Sequence, residues 1–465
     1  MSDRSTKPRS GRRKRGAGKT HWYAGGHAGP SETERVGTFR RSLVKVTLAF
    51  RMIVNRRPKP GRRLEAVFAL LILLAGVAAQ TQSNNFRTAY DANQVFVLRD
   101  AIQHSRAPLF YRAAVEASLN HVQVAEKDFR TVIRQNPHSN EVYEAQDLLG
   151  NMYFRNGMYR EGLDAMVAAL HERPDASDPK SMLSILTVLK GLPKTSITES
   201  KASSLQIEPG STFLPLRINN QEAEFFFDTG ASISVIGESE ARELGLVAKG
   251  VEGKMGDASG QGLANLQITL VADLRIGGLH LQNVPFIVVA DKGEPWNALP
   301  QSRHGIIGLP LLLAMHTFRW TRTGKFEFGF PAKALKAETC NLLFHNSNPV
   351  INVLTEGKHL VFTLDTGAVD TDLNPEFARS LPSLMKAGTP ENRSIEGLGG
   401  SSNSPAILLP FVVLEIGGRN TTLRPAHVFT KQGNGAWAAG NLGMDLLKQA
   451  RSFEVDFGAM TLRLQ

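Results

Sequence analysis

The amino-acid sequence predicts a multidomain protein in which an α-helical region precedes two tandem lobes that are mainly β. Three observations lead to this fold class. Residues 108–176 are poor in glycine and proline, and they contain a repeat of 37 residues. From about residue 207, short alternating apolar runs are broken by glycine and asparagine, a pattern typical of β-strands. In this C-terminal region a single set of motifs occurs twice, about 137 residues apart, which indicates two homologous lobes.

The amino-acid composition excludes several classes of function. The chain has 465 residues and a net charge of +11, but residues 1–63 hold 18 Lys and Arg against 3 Asp and Glu. The remainder holds 36 Lys and Arg against 40 Asp and Glu, so the folded part is mildly acidic and no nucleic-acid partner is expected. The single cysteine, Cys340, excludes an internal disulfide and a cysteine-based zinc site. With no phosphate-binding Gly-rich loop and no His-Glu-x-x-His motif, we expect neither a metal nor a cofactor.

The N-terminal region carries a targeting pattern. Residues 66–79 are 14 apolar residues that follow a basic stretch and end in small residues, which is typical of a signal peptide. Segment 64–79 is therefore predicted to be a signal peptide, and an uncleaved membrane anchor stays open as the alternative. Residues 1–63 are interpreted as a basic extension, either disordered or misassigned if translation starts at Met52. We expect an exported protein, periplasmic or anchored to the membrane and facing the periplasm, with membrane contact only through this N-terminal segment.

Residues 84–190 are predicted to be helical. The 37-residue shift superimposes apolar, small and proline positions: Ala125, Phe129, Val132 and Pro137 in the first copy, and Gly162, Met166, Ala169 and Pro174 in the second. The period and the second copy resemble the tetratricopeptide repeat. This region could bind a protein partner or act as a spacer, and the sequence does not decide between them. Residues 191–206 are predicted to be a linker.

The two lobes, 207–335 and 340–465, share a motif of an apolar strand followed by Asp-Thr-Gly-Ala. The first copy contains Asp228, Thr229, Gly230 and Ala231, and the second contains Asp365, Thr366, Gly367 and Ala368. Paired glycines follow in each lobe, at 277–278 and 417–418. Later still, Gly-Ile-Ile-Gly-Leu at 305–309 matches Gly-Asn-Leu-Gly-Met at 440–444. Phe-Glu-Phe at 326–328 and Phe-Glu-Val at 453–455 are interpreted as matching closing strands.

These motifs resemble the retropepsin-like aspartic protease family, in a bacterial type with tandem lobes, and the likeness covers residues 207–465. The resemblance implies an acid protease fold with Asp228 and Asp365 as the catalytic pair. It also implies that the threonines cross-link the two loops, that the glycines and alanines support them, and that residues 307–308 and 442–443 pack beneath. Two carboxyl groups about 3 Å apart share one proton, and a water between them can hydrolyse a peptide bond. We therefore expect an aspartic endopeptidase that acts on a protein or peptide as a monomer.

Several points stay open at this stage. Flaps over the cleft are predicted at Gly256–Gly262 and Gly397–Gly400. Lobe 2 departs from lobe 1 in having Val369 where lobe 1 has Ser232, and Asn441 where lobe 1 has an apolar residue. The protein could instead be a non-catalytic peptide- or protein-binding protein that keeps the fold. A dyad formed by lobe 1 of two chains is a third possibility.

Overall fold

The computed structural model describes residues 85–465 except 104, 251–266, 293–295, 332–339, 398–399 and 432–436. The predicted N-terminal extension, the predicted signal segment and the first predicted flap lie outside the described residues. The chain divides into two units, Met1–Gln80 and Thr81–Gln465, and every described residue belongs to the second. Among the described helices, none combines the length and the apolar character needed to cross a membrane.

The helical region matches the predicted class. After a helical segment at 85–91, six helices follow in order: α1 (Val95–Gln103), α2 (Leu109–Ser118), α3 (Val122–Gln135), α4 (Asn140–Arg155), α5 (Tyr159–Glu172) and α6 (Ser177–Leu189). Successive helices from α2 onward pack against one another as hairpins. Apolar residues from several of these helices form a shared core, among them Phe110, Phe129 and Leu149.

The 37-residue repeat is visible in the helix boundaries. Helices α3 and α5 begin and end 37 residues apart, and so do the ends of α2 and α4. The turn before each second helix has a positive φ at matched positions, 58° at Asn120 and 70° at Gly157. Pro137 and Pro174 each lie two residues after the end of a helix, as expected of a residue that cannot continue one. Kinship with tetratricopeptide repeats stays a prediction.

Lobe 1 is a barrel-like sheet. Its strands are β1 (Ser196–Ser200), β3 (Phe213–Ile218), β4 (Gln221–Phe227), β5 (Val235–Gly237), β6 (Lys249–Gly250), β7 (Gln267–Ile276), β8 (Leu279–Val289) and β9 (Gly305–Ile307). The order is β1-β8-β5-β9-β4-β3-β7-β6, and β7 also pairs with β8, so that six strands close on themselves. Helices α7 (Glu238–Glu243) and α8 (Leu309–Ala314) follow β5 and β9.

Lobe 2 has the same plan as lobe 1, but the counterparts of the long strands β7 and β8 are interrupted. Its strands are β12 (Leu342–His345), β13 (Asn348–Thr355), β14 (Lys358–Leu364), β15 (Asp372–Leu373), β16 (Thr389–Gly397), β17 (Gly400–Leu409), β18 (Val412–Ile416), β19 (Arg419–Leu423), β20 (Ala426–Phe429) and β21 (Gly440–Leu442). The order is β16-β17-β20-β15-β21-β14-β13-β18-β19, with β12 on β13. Short helices α9 (Pro375–Ser380), α10 (Pro382–Met385) and α11 (Met444–Leu447) complete it.

In each lobe, the hairpin that ends at the aspartate motif has a two-residue turn. Asn219 and Asn220 connect β3 to β4 with φ of 48° and 70°. Glu356 and Gly357 connect β13 to β14 with φ of 48° and 71°. Two consecutive positive φ values give the turn whose twist suits a two-residue hairpin.

A third sheet joins the lobes. It runs β2 (Ser203–Gln206), β11 (Lys325–Phe328), β10 (Thr317–Thr321), β22 (Ser452–Asp456) and β23 (Thr461–Leu464). At its centre β10 of lobe 1 pairs with β22 of lobe 2, with Arg319 directly opposite Glu454. One apolar core, which includes Phe227, Phe318 and Phe453, continues through this sheet from lobe to lobe.

Two predictions are corrected here. The predicted linker 191–206 contains two strands, β1 on the lobe 1 barrel and β2 in the sheet between the lobes. The segments 326–328 and 453–455 are both strands, but they are not equivalent. The strand at 453–455 lies in β22, which follows α11 as β10 follows α8, so its lobe 1 counterpart is β10.

Helices of the N-terminal region pack directly on lobe 1. One cluster of buried residues combines Leu163, Met166 and Leu186 of α5 and α6 with Val235 and Ile306 of lobe 1. Along β4, β5 and β9 alternate side chains point into the barrel core, and those between them join this outer cluster. At β5, β9 and the end of β8, the lobe 1 sheet is therefore covered on both faces.

Candidate active site

The two aspartates lie at the ends of matched strands. Asp228 follows β4, and its amide donates to the carbonyl oxygen of Ile307 at 3.0 Å. Asp365 follows β14, and its amide donates to the carbonyl oxygen of Leu442 at 3.0 Å. In each lobe the supporting strand, β9 or β21, runs parallel to the strand that carries the aspartate. The predicted segments 307–308 and 442–443 therefore lie against the loops that carry the aspartates.

The two loops are cross-linked by their threonines. The amide of Thr229 donates to Oγ1 of Thr366 at 3.0 Å, and the amide of Thr366 donates to Oγ1 of Thr229 at 3.1 Å. Each hydroxyl then donates across the interface, from Thr229 to the Leu364 carbonyl at 2.7 Å and from Thr366 to the Phe227 carbonyl at 3.0 Å. Both threonines are buried, so four satisfied hydrogen bonds fix the loops against each other.

Each glycine of the motif faces the aspartate of the other lobe. A Cβ placed on Gly230 would lie 2.7 Å from Cγ of Asp365. One placed on Gly367 would overlap the carboxyl group of Asp228. Neither contact leaves room for a side chain, so the close approach of the two loops requires glycine at both positions.

The two carboxyl groups lie close together at the centre. Each is against the motif glycine of the other lobe, and both residues are half-buried. Burial and the neighbouring Asp365 carboxylate hold the pKa of Asp228 well above its usual range, and the backbone amide of Gly230 opposes that rise. The Gly230 amide donates to Oδ1 of Asp228 at 2.7 Å. A pair of this kind holds one proton between two carboxyl groups.

A second layer of hydroxyl groups braces the loops. Ser234 accepts the amide of Gly308 at 3.0 Å, and Thr371, at the matched position of lobe 2, accepts the amide of Gly443 at 2.9 Å. Thr371 also donates to Asp445 at 2.6 Å. This pair was not among the predicted site residues, although Ser234 and Thr371 stand at the same distance after the two aspartates.

Lobe 2 holds its aspartate with more donors than the motif alone supplies. The amides of Gly367 and Ala368 donate to Oδ1 of Asp365 at 3.0 and 3.1 Å. Nδ2 of Asn441 donates to the other oxygen, Oδ2, at 2.8 Å. Val369, the other departure noted in the sequence, is 78% exposed. The sequence showed the substitution at Asn441 but not this contact.

The second predicted flap falls on a hairpin. Strands β16 and β17 pair along their length, and Gly397 is opposite Gly400 at the tip. At the middle of β16, Arg393 bonds Asp372 at 2.8 Å and Asp370 at 3.1 Å, just after the second motif. The hairpin is thus tied to the segment that follows Asp365. A flap role stays a prediction.

His304, the histidine nearest a motif, lies away from the dyad. Its Nδ1 is 2.9 Å from Oδ2 of Asp291, and its Nε2 is 3.0 Å from the carbonyl oxygen of Trp296. Ser239 also bonds Asp291. His304 is buried, and its contacts tie the loop before β9 to the start of α7.

Comparison with known protein families finds one match, which lies in lobe 1. A family model described as aspartyl protease matches residues 214–311. This range lies in lobe 1 and includes Asp228 and the glycines at 305 and 308. The matched segment, 98 of the 465 residues, is what this chain has in common with that family. The comparison with curated proteins gives no match.

The chain is similar over a limited range to two solved structures. One is a retropepsin-like aspartic protease from Rickettsia conorii, with 16% identity over 29% of this chain and 94% of that chain, at a TM-score of 0.21. The other is the retroviral protease-like domain of Ddi1 from Leishmania major, with 16% identity over 29% of this chain and 90% of that chain, at a TM-score of 0.15. TM-scores this low add nothing to the assignment of individual residues.

Proposed function

We propose that the protein is an aspartic endopeptidase that hydrolyses peptide bonds with a water molecule activated between Asp228 and Asp365. The observation that carries the proposal is that each carboxyl group lies against the motif glycine of the other lobe, on loops cross-linked by Thr229 and Thr366. Both halves of the dyad come from one chain, so no second copy is needed to complete it. The proposed substrate is a protein or peptide.

The chemistry follows from one shared proton. The ionised carboxylate takes a proton from the water as the water oxygen bonds to the scissile carbonyl carbon. The protonated carboxyl donates its proton to the carbonyl oxygen, which receives the electron pair of the C=O double bond. As the tetrahedral intermediate collapses, the carboxyl that took the water's proton gives it to the amide nitrogen, and the C–N bond breaks with its electron pair going to nitrogen. One hydroxyl of the intermediate returns its proton to the other carboxylate as the C=O bond forms again, which restores the shared proton. The raised pKa of Asp228 supports its holding a proton at a pH where an ordinary aspartate is ionised.

The test is cleavage of a peptide library by the purified chain and by its Asp228→Asn and Asp365→Asn variants. We expect each variant to lose at least about 1,000-fold in kcat/KM, because the two carboxyl groups act as a unit. The substitutions keep the shape of the side chain, and circular dichroism would confirm that the variants fold. A preparation that is monomeric by light scattering ties the result to a dyad within one chain.

The other outcomes separate the alternatives. Loss of cleavage only with Asp228→Asn, in a dimeric preparation, would indicate a dyad formed by lobe 1 of two chains. Peptide binding that survives both substitutions, with no cleavage by any form, would favour the non-catalytic binding protein. Cleavage that persists in both variants would overturn the dyad.

We also propose that the body of the protein works outside the cytoplasm. The basis is the sequence pattern of segment 64–79, which lies outside the described residues. A fusion of residues 1–100 to a reporter that is active only after export should be active. The proposed role of the helical repeats in binding a protein partner rests on their sequence pattern alone.

A further inference from the structure

The two lobes hold their aspartates differently. Nδ2 of Asn441 lies 2.8 Å from Oδ2 of Asp365. Asn441 is on β21 directly beside Thr363 of β14, the strand that leads into Asp365. The hydroxyl of Thr363 donates to Oδ1 of Asn441. A hydroxyl can donate or accept, and here it donates to the amide oxygen, so the Nδ2 end of the amide faces the aspartate.

Lobe 1 has no such contact at the matched positions. Ile306 stands where Asn441 stands, and Phe226 stands where Thr363 stands. Neither side chain has a hydrogen-bond donor. Both belong to the apolar cluster that α5 and α6 cover, and Ile306 is 2% exposed. An amide therefore faces Asp365, whereas an apolar wall flanks Asp228.

An amide N–H can only donate, so the oxygen that it faces must accept. Oδ2 of Asp365 accepts from Asn441 while Oδ1 accepts from the amides of Gly367 and Ala368. Three donors on one carboxyl group stabilise its charged form. A proton shared with Asp228 is then favoured on Asp228.

We infer that Asn441 is a positioning residue that keeps Asp365 as the ionised base of the dyad and leaves the shared proton on Asp228. The inference rests on the proposed function and assigns the roles within it. Asp365 takes the proton of the attacking water, and Asp228 protonates the oxygen of the scissile carbonyl. The Thr363 hydroxyl acts one step further away, by orienting the Asn441 amide.

Other charged groups surround this side of the dyad and stay the same in the variants below. They are Asp228 on the facing loop, Asp370 and Asp372 on the segment after the motif, Arg393 on β16, His427 on β20 and Asp445 on α11. A difference between Asn441 variants and the unsubstituted protein therefore reports the amide and not these groups.

The first measurement is the pH profile of kcat/KM for Asn441→Leu. We expect the acidic limb to move up by about one pH unit, because removing a donor to the carboxylate makes Asp365 easier to protonate. Thr363→Val should move the limb in the same direction by less. Thr363→Ser keeps the hydroxyl and is the matched control, with no movement expected. A purely structural role would lower activity at every pH and leave the limb in place.

The second measurement does not need activity. NMR of protein labelled with ¹³C at the aspartate carboxyl carbons follows each titration directly, with Asp365 assigned from the Asp365→Asn variant. We expect the Asp365 midpoint to rise in Asn441→Leu and to stay in Thr363→Ser. An unchanged midpoint in a folded Asn441→Leu variant overturns the inference. A raised midpoint in a protein that cleaves no peptide would instead sustain the role of Asn441 and count against the proposed function.

Discussion

At the residue scale, the protonation of Asp228 makes the stability of the folded chain depend on pH. Burial and the neighbouring Asp365 carboxylate raise its pKa in the folded chain. An unfolded aspartate titrates near pH 3.9. The folded state therefore binds the extra proton above that pH, and the stability contributed by protonated Asp228 is lost as the pH rises through the folded pKa.

This gives a prediction that does not depend on activity. Asp228→Asn cannot ionise, so its Tm should match that of the unsubstituted protein near pH 4 and exceed it at pH 7. Thermal unfolding at several pH values would measure the difference. Asp370→Asn, at an exposed aspartate of the segment after the second motif, is the control and should bring no gain at pH 7. A lower Tm for Asp228→Asn at pH 7 would contradict the origin given for its raised pKa.

The sequence predicted the central residues of the site but not their fine contacts. Two copies of Asp-Thr-Gly with matched flanks were enough to pair Asp228 with Asp365. The contact of Asn441 with Asp365 depends on the register of β14 against β21, which places Thr363 beside Asn441. No pattern of apolar and polar residues in either strand alone encodes that register.

At the element scale, the sheet between the lobes depends on a group of charges. Glu454 of β22 bonds Arg319 of β10 in lobe 1, and it lies 2.8 Å from Arg463 of β23. Its side chain is 2% exposed, whereas those of Arg319 and Arg463 are 27% and 22% exposed. The carboxylate thus lies between two arginine side chains that are more exposed than it is.

Removing the Glu454 carboxylate should lower the stability of both lobes together. Glu454→Gln leaves two partly buried arginines without their shared partner, and we expect a loss of about 2 kcal/mol in the free energy of unfolding. Glu327→Gln is the matched control, because Glu327 contacts the same Arg319 from a more exposed site, and it should lose less than about 1 kcal/mol. Urea denaturation measures both. Equal losses would mean that Glu454 has no special place between the lobes.

The prediction of a linker at residues 191–206 missed β1 because of the composition of that strand. The residues of β1 are Ser-Ile-Thr-Glu-Ser, and all five are exposed. Such a strand has no buried face, so it lacks the alternation by which strands are recognised. It is held by backbone pairing to β8, at positions 79 to 86 residues away in the chain.

At the scale of the whole molecule, the helical region and the lobes are not independent. The part of the lobe 1 outer face formed by β5, β9 and the end of β8 is apolar and is covered by α5 and α6. The continuous apolar runs at 225–227 and 286–289 indicate strands that are buried on both faces. Such strands lose the alternation of apolar and polar residues. The sequence indicated strands there, but not what covers them, since the covering helices belong to a separate repeat.

A buried arginine links the helical region to lobe 2. Arg155, at the end of α4, donates from Nε to Oδ1 of Asn120 at 3.0 Å and from Nη1 to the carbonyl oxygen of Asn346 at 2.7 Å. Nη2 bonds the carbonyl oxygen of Ala117, and the guanidinium lies 4.7 Å from the ring of Phe344. Burial lowers the pKa of Arg155 to about 9, which still leaves it charged at neutral pH.

Arg155→Met should therefore affect both regions at once. It keeps the apolar length of the side chain but removes its hydrogen bonds, and we expect a loss of about 3 kcal/mol in the free energy of unfolding. Arg130→Met is the control, because Arg130 is exposed on α3 and pairs with Glu126, and it should lose under about 0.5 kcal/mol. Hydrogen exchange should show lower protection in α4 and in the turn between β12 and β13 together. Lower protection confined to the helices would mean that the helical region is a separate folding unit, because a shared unit transmits the loss of one contact to both of its sides.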